Sequence, residues 1–447
     1  MNKDILNKSW AEVSRMRSNF SMFESYSLII HVMLFRYIDI KKDIITAYGD
    51  EYSVDFLARL YGDLVSKEKV VNYIQAIEKD NIIPGNGIVS AGLARLLERA
   101  DNGHVQMLFK AVAEMKLEDN QMYDMAVSLL DSIAYTYGSG MEGISLNLSL
   151  CRLEGSLLRC KEGMEIYDGF CGCGLSINEA AGGRGTIYLQ DIDANSAAIA
   201  VILALFRGNQ IKIAGCGDSL VNPLVDGKFD RIVIEPPFGI RYDNDYLQSI
   251  PAGNCAFPKI KDGECLALSH ACARLADDGI AVVLVSAGIL SRSGKVSEIR
   301  NKLVRSCLDA VIELPLGVLP NIGAALAILI LKKNREDNAI FMVNAKSFFD
   351  RSGRNRLQIS DENISMLVRL YENREEVEGI SSNKAEAVII EKGCNLSTSQ
   401  YVISNPHSMI RTGEVAEYVA EYADYASRLA EIEKQLDAIR GRFIVRE

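Results

Sequence analysis

The N-terminal part of the chain carries apolar residues at a helical spacing. Between residues 20 and 40, apolar side chains recur every three or four positions, as at Tyr26, Ile30 and Leu34, which is the period of an α-helix. The same spacing covers residues 70–77, 89–97, 105–115 and 122–133. The pattern therefore predicts a helical N-terminal domain over residues 1–140, ending in a glycine-rich boundary.

From residue 141 the pattern changes to short apolar runs that alternate with helical segments. Strands are expected at residues 165–167, 186–189, 211–214, 231–234, 280–285, 310–314 and 325–331. Helices are expected at residues 195–206, 265–276 and 296–306. This alternation is typical of a doubly wound parallel sheet. We therefore predict an α/β domain over residues 141–405, built on a seven-stranded, Rossmann-like sheet.

The last stretch, residues 410–447, again shows apolar residues three or four positions apart, beginning at Val415. This spacing predicts one long amphipathic helix. Its apolar stripe is suited to contact with a partner's helix. The alternative, in which the helix packs on the N-terminal helices of the same chain, stays open.

Composition narrows the class of protein. A chain of 447 residues is long enough for two or three domains. The net charge of −10 argues against a free-standing nucleic-acid binder, although a local basic face or a basic partner remains compatible with it. The N-terminus has no signal-peptide pattern and no apolar run reaches the roughly 18 residues that span a bilayer. We expect a cytoplasmic protein with no membrane partner.

The cysteines, and one group of basic residues, each have an ordinary structural explanation. Most of the ten cysteines lie inside apolar runs, as expected of reduced, buried thiols. Cys171 and Cys173 form the one close pair and lack a second pair or suitably spaced histidines, so we predict no metal site. The basic residues between Arg292 and Arg305, which include Arg300, are either phosphate contacts or a solvated helix face.

The most informative stretch is residues 164–174, with the sequence MEIYDGFCGCG. A short strand runs into Asp168, and glycines follow at Gly169, Gly172 and Gly174. Glycines at this spacing let the backbone turn sharply at a strand end and approach a ligand closely. A helix that starts near residue 175 would direct amide groups at a bound cofactor. Because a glycine loop alone is a weak indicator, the motifs that follow it decide the interpretation.

Acidic residues follow the second and third predicted strands. Asp191 comes about 20 residues after the glycine loop, where a carboxylate can bind both hydroxyls of a ribose. We assign this role to Asp191, and we expect Asp193 to cap the next helix. After the third strand, Asp218 precedes Ser219. Asp218 is either a ligand of an adenine amine or an ordinary turn aspartate.

The fourth predicted strand runs directly into Glu235, Pro236, Pro237 and Phe238. Two consecutive prolines cannot continue a strand, because both lack the amide donor. They fix the carbonyl groups and side chains around them at the edge of the sheet. A stiff strand exit is one explanation, but four motifs in this order favour a binding and catalytic site.

Taken together, DGFCGCG, QDID, GDS and EPPF resemble the motifs of class I S-adenosylmethionine (SAM)-dependent methyltransferases that methylate adenine N6 in DNA. The nearest likeness is the modification subunit of type I restriction–modification systems. Further likenesses to that subunit lie in residues 10–39, 294–331 and 394–402, so the resemblance covers most of the chain.

The resemblance implies SAM as the cofactor and assigns a role to each motif. The cofactor-binding residues would be Asp168, Gly169, Phe170, Gly172, Gly174, Asp191, Ile192, Asp218 and Ser219. The catalytic residues would be Glu235, Pro236, Pro237 and Phe238. Two acceptors there, the first side chain and a proline-fixed carbonyl, would hydrogen-bond the amine protons of an adenine. The aromatic ring would stack on the base once it is flipped out of the duplex.

The chain departs from the family pattern at three places. The family carries Asn or Asp where this chain has Glu235, which is one methylene longer, and a misplacement of about 1 Å can cost on the order of a hundredfold in rate. A Thr-Pro pair is absent near Asn147, and Cys173 stands where serine is common. These departures leave the question of enzymatic activity open.

Two functions follow from the resemblance. One is an adenine-N6 DNA methyltransferase subunit that acts on DNA with a specificity subunit, and for which a restriction subunit is a further partner. The other is a catalytically degenerate homologue that serves as a cofactor-binding or scaffolding component of a DNA-targeting complex. Methylation of RNA or protein is a weaker third hypothesis.

Overall fold

The computed structural model describes residues 20–41, 66–113, 119–137, 147–320, 322–335, 337–352 and 356–403. Elements are numbered below in chain order within these ranges. The predicted C-terminal helix over residues 410–447 lies outside the described residues. The domain boundaries at residues 140, 141, 405 and 410 stay predictions.

The predicted N-terminal helices are confirmed. They are α1 (Met22–Ile40), α2 (Lys67–Lys79), α3 (Ile88–Arg99), α4 (Asn102–Ala113) and α5 (Asp119–Tyr137). Helix α1 starts with a capping box, in which the Ser21 hydroxyl accepts from the Glu24 amide and the Glu24 carboxylate accepts from the Ser21 amide. The helix lies in the centre of the group, because it contacts α3, α4 and α5.

A nine-stranded sheet forms the centre of the described molecule. Its strands are β1 (Glu165–Asp168), β2 (Thr186–Asp191), β3 (Gln210–Cys216), β4 (Phe229–Ile234), β5 (Leu275–Ser286), β6 (Leu308–Glu313), β7 (Leu326–Leu331), β8 (Ala339–Asn344) and β11 (Ser381–Ala385). The order across the sheet is β11-β8-β6-β7-β5-β4-β1-β2-β3. All seven predicted strands are present, and the α/β fold class is confirmed.

Two strands of this sheet, β8 and β11, lie beyond the seven that the sequence predicted. Strand β8 pairs in parallel with β6, and β11 pairs antiparallel with β8 at the edge of the sheet. Strand β7 runs antiparallel to both of its neighbours, β5 and β6. A separate two-stranded sheet consists of β9 (Phe349–Arg351) and β10 (Leu357–Ile359).

Helices cover both faces of the sheet. They are α6 (Leu148–Leu158), α7 (Leu175–Ala181), α8 (Ala194–Arg207), α9 (Asn244–Ser249), α10 (Gly263–Arg274), α11 (Gly288–Ser291), α12 (Lys295–Ser306), α13 (Asp361–Asn373) and α14 (Glu386–Glu391). Helix α8 also contacts α1, α3 and α5. Apolar residues of the N-terminal helices and of the sheet therefore share one hydrophobic core.

The strand order places a crevice beside β1. Strand β1 pairs with β2 on one side and with β4 on the other, so the chain order reverses at this strand. In open α/β sheets, ligands bind beyond the carboxyl ends of the strands at such a reversal. The residues that follow β1, β2 and β4 therefore meet at one edge. Within the described residues, no helix is long and apolar enough to cross a membrane.

Candidate active site

The glycine loop joins β1 to α7 and faces two different environments. Gly172 and Gly174 have positive φ angles of 48° and 73°, a conformation that side chains disfavour. A Cβ atom on Gly174 would lie 2.8 Å from the Cβ atom of Ala200, so the loop is pressed against α8. At Gly172 a Cβ atom would meet nothing within 4 Å. The backbone of Gly172 therefore borders open space that a ligand can approach.

Gly169 is required by packing inside the protein. A Cβ atom there would lie 2.3 Å from the Tyr167 hydroxyl and 3.0 Å from the Cβ atom of Ser219. This contact brings the turn that contains Ser219 beside the glycine loop. The roles of Gly169 and Ser219 in cofactor binding stay predictions.

A buried tyrosine, which lies just before this loop, is hydrogen-bonded to a buried histidine. Nδ1 of His270 lies 2.9 Å from the carbonyl oxygen of Asn254, and Nε2 lies 3.0 Å from the Tyr167 hydroxyl. Since a carbonyl oxygen can only accept, Nδ1 carries the proton and Nε2 accepts from Tyr167. Burial lowers the pKa of His270 to about 4, so the ring is neutral. No motif in the sequence marks either residue as part of the site.

Asp191 connects the end of β2 to the glycine loop. Its Oδ2 accepts from the amide of Gly172 at 2.8 Å, and its Oδ1 accepts from the amide of Asp193 at 2.9 Å. Burial raises the pKa of Asp191 above its usual value. Each carboxylate oxygen retains acceptor capacity beyond these single bonds. The predicted cap is confirmed, because Asp193 accepts from the Ser196 amide at 2.8 Å at the start of α8.

The remaining residues that the sequence assigns to the cofactor have contrasting surroundings. Ile192 is 72% exposed, although it is a large apolar side chain. Asp168 is buried, and its Oδ1 accepts from the amide of Phe170 at 3.0 Å. Burial raises the pKa of Asp168 well above its usual value, and the charges of Glu235 and Asp191 raise it further. Phe170 is half-buried and presents its ring at a steep angle to His270.

Asp218 organises the turn after β3. Its Oδ1 accepts from the amide of Leu220 at 2.9 Å, as a turn aspartate does. Its Oδ2 accepts from the Tyr246 hydroxyl at 2.7 Å. Tyr246 in turn stacks on Tyr242, with 3.9 Å between the ring centroids. The turn role predicted for Asp218 is confirmed, and its contact with adenine stays a prediction.

Glu235 follows β4 and makes its contacts with two helices that the sequence did not connect to it. Its Oε1 forms a short hydrogen bond with the Ser176 hydroxyl on α7. The same hydroxyl lies 2.8 Å from Oε2 of Glu154, a fully buried residue on α6. The Cys151 sulfur and one carboxylate oxygen each of Glu154 and Glu235 all lie within 4.8 Å of one another. Pro236 is buried, Pro237 is exposed and Phe238 is half-buried.

Burial disfavours the ionised form of both glutamates. It raises the pKa of Glu154 well above its usual value, and the negative charge of Glu235 raises it further. Burial also raises the pKa of Glu235, while the hydrogen bond from Ser176 lowers it. A signal for Glu154 was present in the sequence, since it is the one acidic residue in the apolar helix LSLCRLEGSLL. The partnership with Glu235 carried no sequence signal.

Asn147, near which the Thr-Pro pair is absent, is fixed by hydrogen bonds. It caps α6, and its Nδ2 donates to the carbonyl oxygens of Val318 and Leu357, both at 2.8 Å. Its Oδ1 accepts from the amide and the hydroxyl of Ser149. Asn147 therefore ties the start of α6 to two distant parts of the chain.

Two of the other sequence interpretations are resolved. All ten cysteines are free thiols, and most are buried, as predicted. Arg300 is 3% exposed and donates to the carbonyl oxygens of Cys394 and Ile289. Arg300 is neither a phosphate contact nor part of a solvated face, because its guanidinium group joins helix α11 to the segment that contains Cys394 inside the protein.

Comparison with known proteins places this site in a family. The sequence model of the N-6 DNA Methylase family matches residues 148–409, which is more than half of the chain. The chain is similar to the type I restriction enzyme MpnII methylase subunit of Mycoplasma pneumoniae, at 31% identity over 193 residues, 41% of this chain and 35% of that protein. It is also similar to the type I restriction enzyme MjaVII methylase subunit of Methanocaldococcus jannaschii, at 28% identity over 280 residues, 57% of this chain and 48% of that protein. The matches thus span less than half the length of each of these relatives.

Solved structures share the fold. One is the crystal structure of the type I restriction-modification system methyltransferase subunit from Streptococcus thermophilus, with a TM-score of 0.70 and 18% identity over 91% of this chain and 100% of that chain. A structure from a study of complex assembly in the type I R-M system has a TM-score of 0.69 and 16% identity, over 98% of this chain and 99% of that chain. At these identities the likeness concerns the fold. On the match of its sequence over residues 148–409, the chain belongs to the N-6 DNA methylase family.

Proposed function

We propose that this chain is the modification subunit of a type I-like restriction–modification system. In this role it transfers a methyl group from SAM to adenine N6 in DNA, together with a specificity subunit. The observation that carries the proposal is the meeting of two motifs at the reversal of strand order. The glycine loop with Asp191 lies beside β1 and β2, and Glu235-Pro-Pro-Phe follows β4, the other neighbour of β1.

The residues at this edge fit the chemistry of SAM. Gly172 offers backbone next to open space, where the cofactor can approach without a side chain in the way. Asp191 keeps acceptor capacity on both oxygens for the two ribose hydroxyls. Ile192 exposes an apolar surface directly after Asp191, which suits the face of an adenine ring.

Glu235 and the two prolines fit recognition of an amine. When bound, SAM supplies the methyl carbon, and the electron pair of the broken C–S bond leaves with the sulfur. The Glu235 carboxylate and a carbonyl oxygen of the rigid Pro236-Pro237 segment supply acceptors for the two N–H bonds of an adenine amine. These hydrogen bonds orient the nitrogen lone pair toward the methyl carbon. Phe238 supplies the aromatic face on which a flipped base stacks.

The partners follow from charge and from the named relatives. A chain with a net charge of −10 is poorly suited to bind the DNA backbone alone. The curated relatives are named as methylase subunits of type I restriction enzymes. A specificity subunit that contacts DNA, with a restriction subunit as a further partner, completes the assembly that we propose for this cytoplasmic protein.

Methyl transfer from labelled SAM to DNA tests the proposal. We expect label in N6-methyladenine when the full chain is mixed with its specificity subunit, and none when that subunit is omitted. Absence of transfer by the complete assembly, with SAM binding intact, would support the degenerate homologue. Label in RNA or protein instead of DNA would reject the DNA substrate.

A further inference from the structure

The carboxyl group at the catalytic position shares one hydroxyl with a second, fully buried carboxyl group. The Ser176 hydroxyl lies 2.8 Å from Oε2 of Glu154 and closer still to Oε1 of Glu235. Glu154 is 0% exposed, and its other oxygen, Oε1, has no hydrogen-bond partner among the described residues. Glu154 and Glu235 therefore share the single hydroxyl of Ser176, with Glu154 on the buried side and Glu235 half-buried.

The number of protons in this group follows from its geometry. A serine hydroxyl carries one proton, so it can donate to one carboxylate at a time. If both glutamates were ionised, one of the two short contacts would join an oxygen lone pair to another lone pair. A carboxylic acid in the group removes this conflict, because it donates to the serine oxygen. The geometry points to a Glu154–Ser176–Glu235 unit that holds one carboxyl proton, with Glu154 and Ser176 as positioning residues for an ionised Glu235.

Burial and neighbouring charges place the proton on Glu154. Burial raises the pKa of Glu154 well above its usual value, and Glu235 and Asp168 add negative charge. Cys151, on the same helix, adds no charge, because burial and the nearby Glu235 and Glu154 raise the pKa of its thiol well above its usual value. In the described part of the chain, no lysine or arginine forms an ion pair with Glu154 or Glu235. Burial raises the pKa of Glu235 as well, but the hydrogen bond from Ser176 lowers it and so favours the ionised form.

This inference rests on the proposed function when it is extended to the reaction. Methylation gives the adenine N6 nitrogen a fourth bond, so the nitrogen must lose one proton. The ionised Glu235, already hydrogen-bonded to the amine, takes that proton. The unit then holds two carboxyl protons and returns to its resting state when one passes to solvent. Protonated Glu154 keeps a second negative charge from accumulating behind Glu235 before the transfer.

Methyl transfer should then require one proton on the two carboxyl groups of Glu154 and Glu235. The rate plotted against pH should therefore be bell-shaped. As pH falls, protonation of Glu235 removes the acceptor of the amine. As pH rises, ionisation of Glu154 places two anions on one serine and displaces Glu235. A Glu154→Gln variant donates to Ser176 through its amide at every pH. Its pH profile should therefore lose the alkaline decline of the wild type.

Infrared spectroscopy of the full chain tests the proton without any need for turnover. We expect protonated carboxyl absorption at neutral pH, and a difference spectrum between the wild type and Glu154→Gln that shows the loss of one carboxyl band. Glu313→Gln is the matched control, because hydrogen bonds from Thr398 and Lys346 lower the pKa of Glu313 and keep it ionised. That variant should keep the band. A Ser176→Ala variant should retain the band with a shifted position.

The outcomes separate the inference from the function. A wild type without protonated carboxyl absorption, or a Glu154→Gln difference spectrum without the loss of a carboxyl band, overturns the inference. The inference is also overturned if the activity of Glu154→Gln declines at high pH as it does in the wild type. If the band behaves as expected but the complete assembly transfers no methyl group, the proposed function fails while the shared proton stands.

Discussion

The amide of Gly172 donates to Oδ2 of Asp191 at 2.8 Å and joins two points that lie nineteen residues apart in the chain. The bond fixes the glycine loop against the carboxyl end of β2. It also uses only part of the acceptor capacity of Asp191. The pocket that we propose for SAM is therefore formed by the loop and the carboxylate together.

Gly172 and Gly174 should respond differently to substitution by alanine. Both have positive φ angles, which cost roughly 1 kcal/mol for alanine. Gly174→Ala adds a clash with Ala200 and should lower the unfolding temperature more than Gly172→Ala. Gly172→Ala should chiefly weaken SAM binding, because its methyl group enters the open space. Thermal unfolding and calorimetric titration measure the two effects. Equal losses of stability and unchanged SAM affinity in Gly172→Ala would contradict the assignment.

Asn147 should matter for stability more than for chemistry. Asn147→Ala leaves the carbonyl oxygens of Val318 and Leu357 without their side-chain donor and removes the cap of α6. We expect a loss of about 1–3 kcal/mol in the free energy of unfolding, measured by denaturant titration. Ser66→Ala, at the cap of the peripheral helix α2, is a control in which only a cap is lost. An equal loss in both variants would show that the buried bonds contribute little.

Glu235→Ala should separate catalysis from cofactor binding. The substitution removes the acceptor that orients the amine and takes its proton, so we expect methyl transfer to fall by about a hundredfold or more. SAM affinity should stay close to that of the wild type, because Asp191 and the glycine loop are unchanged. Transfer that persists at the wild-type rate would remove Glu235 from the mechanism.

Glu154 should make stability depend on pH. Its pKa in the folded protein is raised above that of the unfolded chain by burial, so its stabilising contribution is present at low pH. That contribution is lost as pH rises through the folded pKa. Glu154→Gln cannot ionise, so the variant should gain stability relative to the wild type as pH increases. Denaturant titrations across the pH range measure this difference. A difference that stays constant with pH would contradict a buried protonated Glu154.

The sequence predicted the fold well because burial leaves a local pattern. All six residues of β7 are buried, and the strand reads as a continuous apolar run. Strand β11 carries the polar sequence SSNKA at the sheet edge, so hydrophobicity could not reveal it. Strand β8 is apolar, but it lies in a mixed, charged stretch where no motif marked it.

The site was predictable only where a motif is contiguous. Asp191 and the glycine loop follow from strand ends and glycine spacing. The partners of Glu235 do not, because Ser176 lies 59 residues away in the chain, on helix α7. Tyr246 likewise reaches Asp218 from a separate segment. Such contacts depend on the tertiary arrangement, which hydrophobic periodicity does not encode.

Calorimetric titration of the full chain with SAM, compared with its Asp191→Ala variant, tests the central claim most directly. Asp193→Ala is the matched control, because it removes the neighbouring carboxylate and the cap of α8, at a cost of about 1 kcal/mol in stability. We predict that the wild type and Asp193→Ala bind SAM with similar affinity and that Asp191→Ala binds at least about tenfold more weakly, as expected when hydrogen bonds to a charged group are lost. Failure of the wild type to bind SAM, or binding that is unaffected by Asp191→Ala, would contradict the assignment of this pocket.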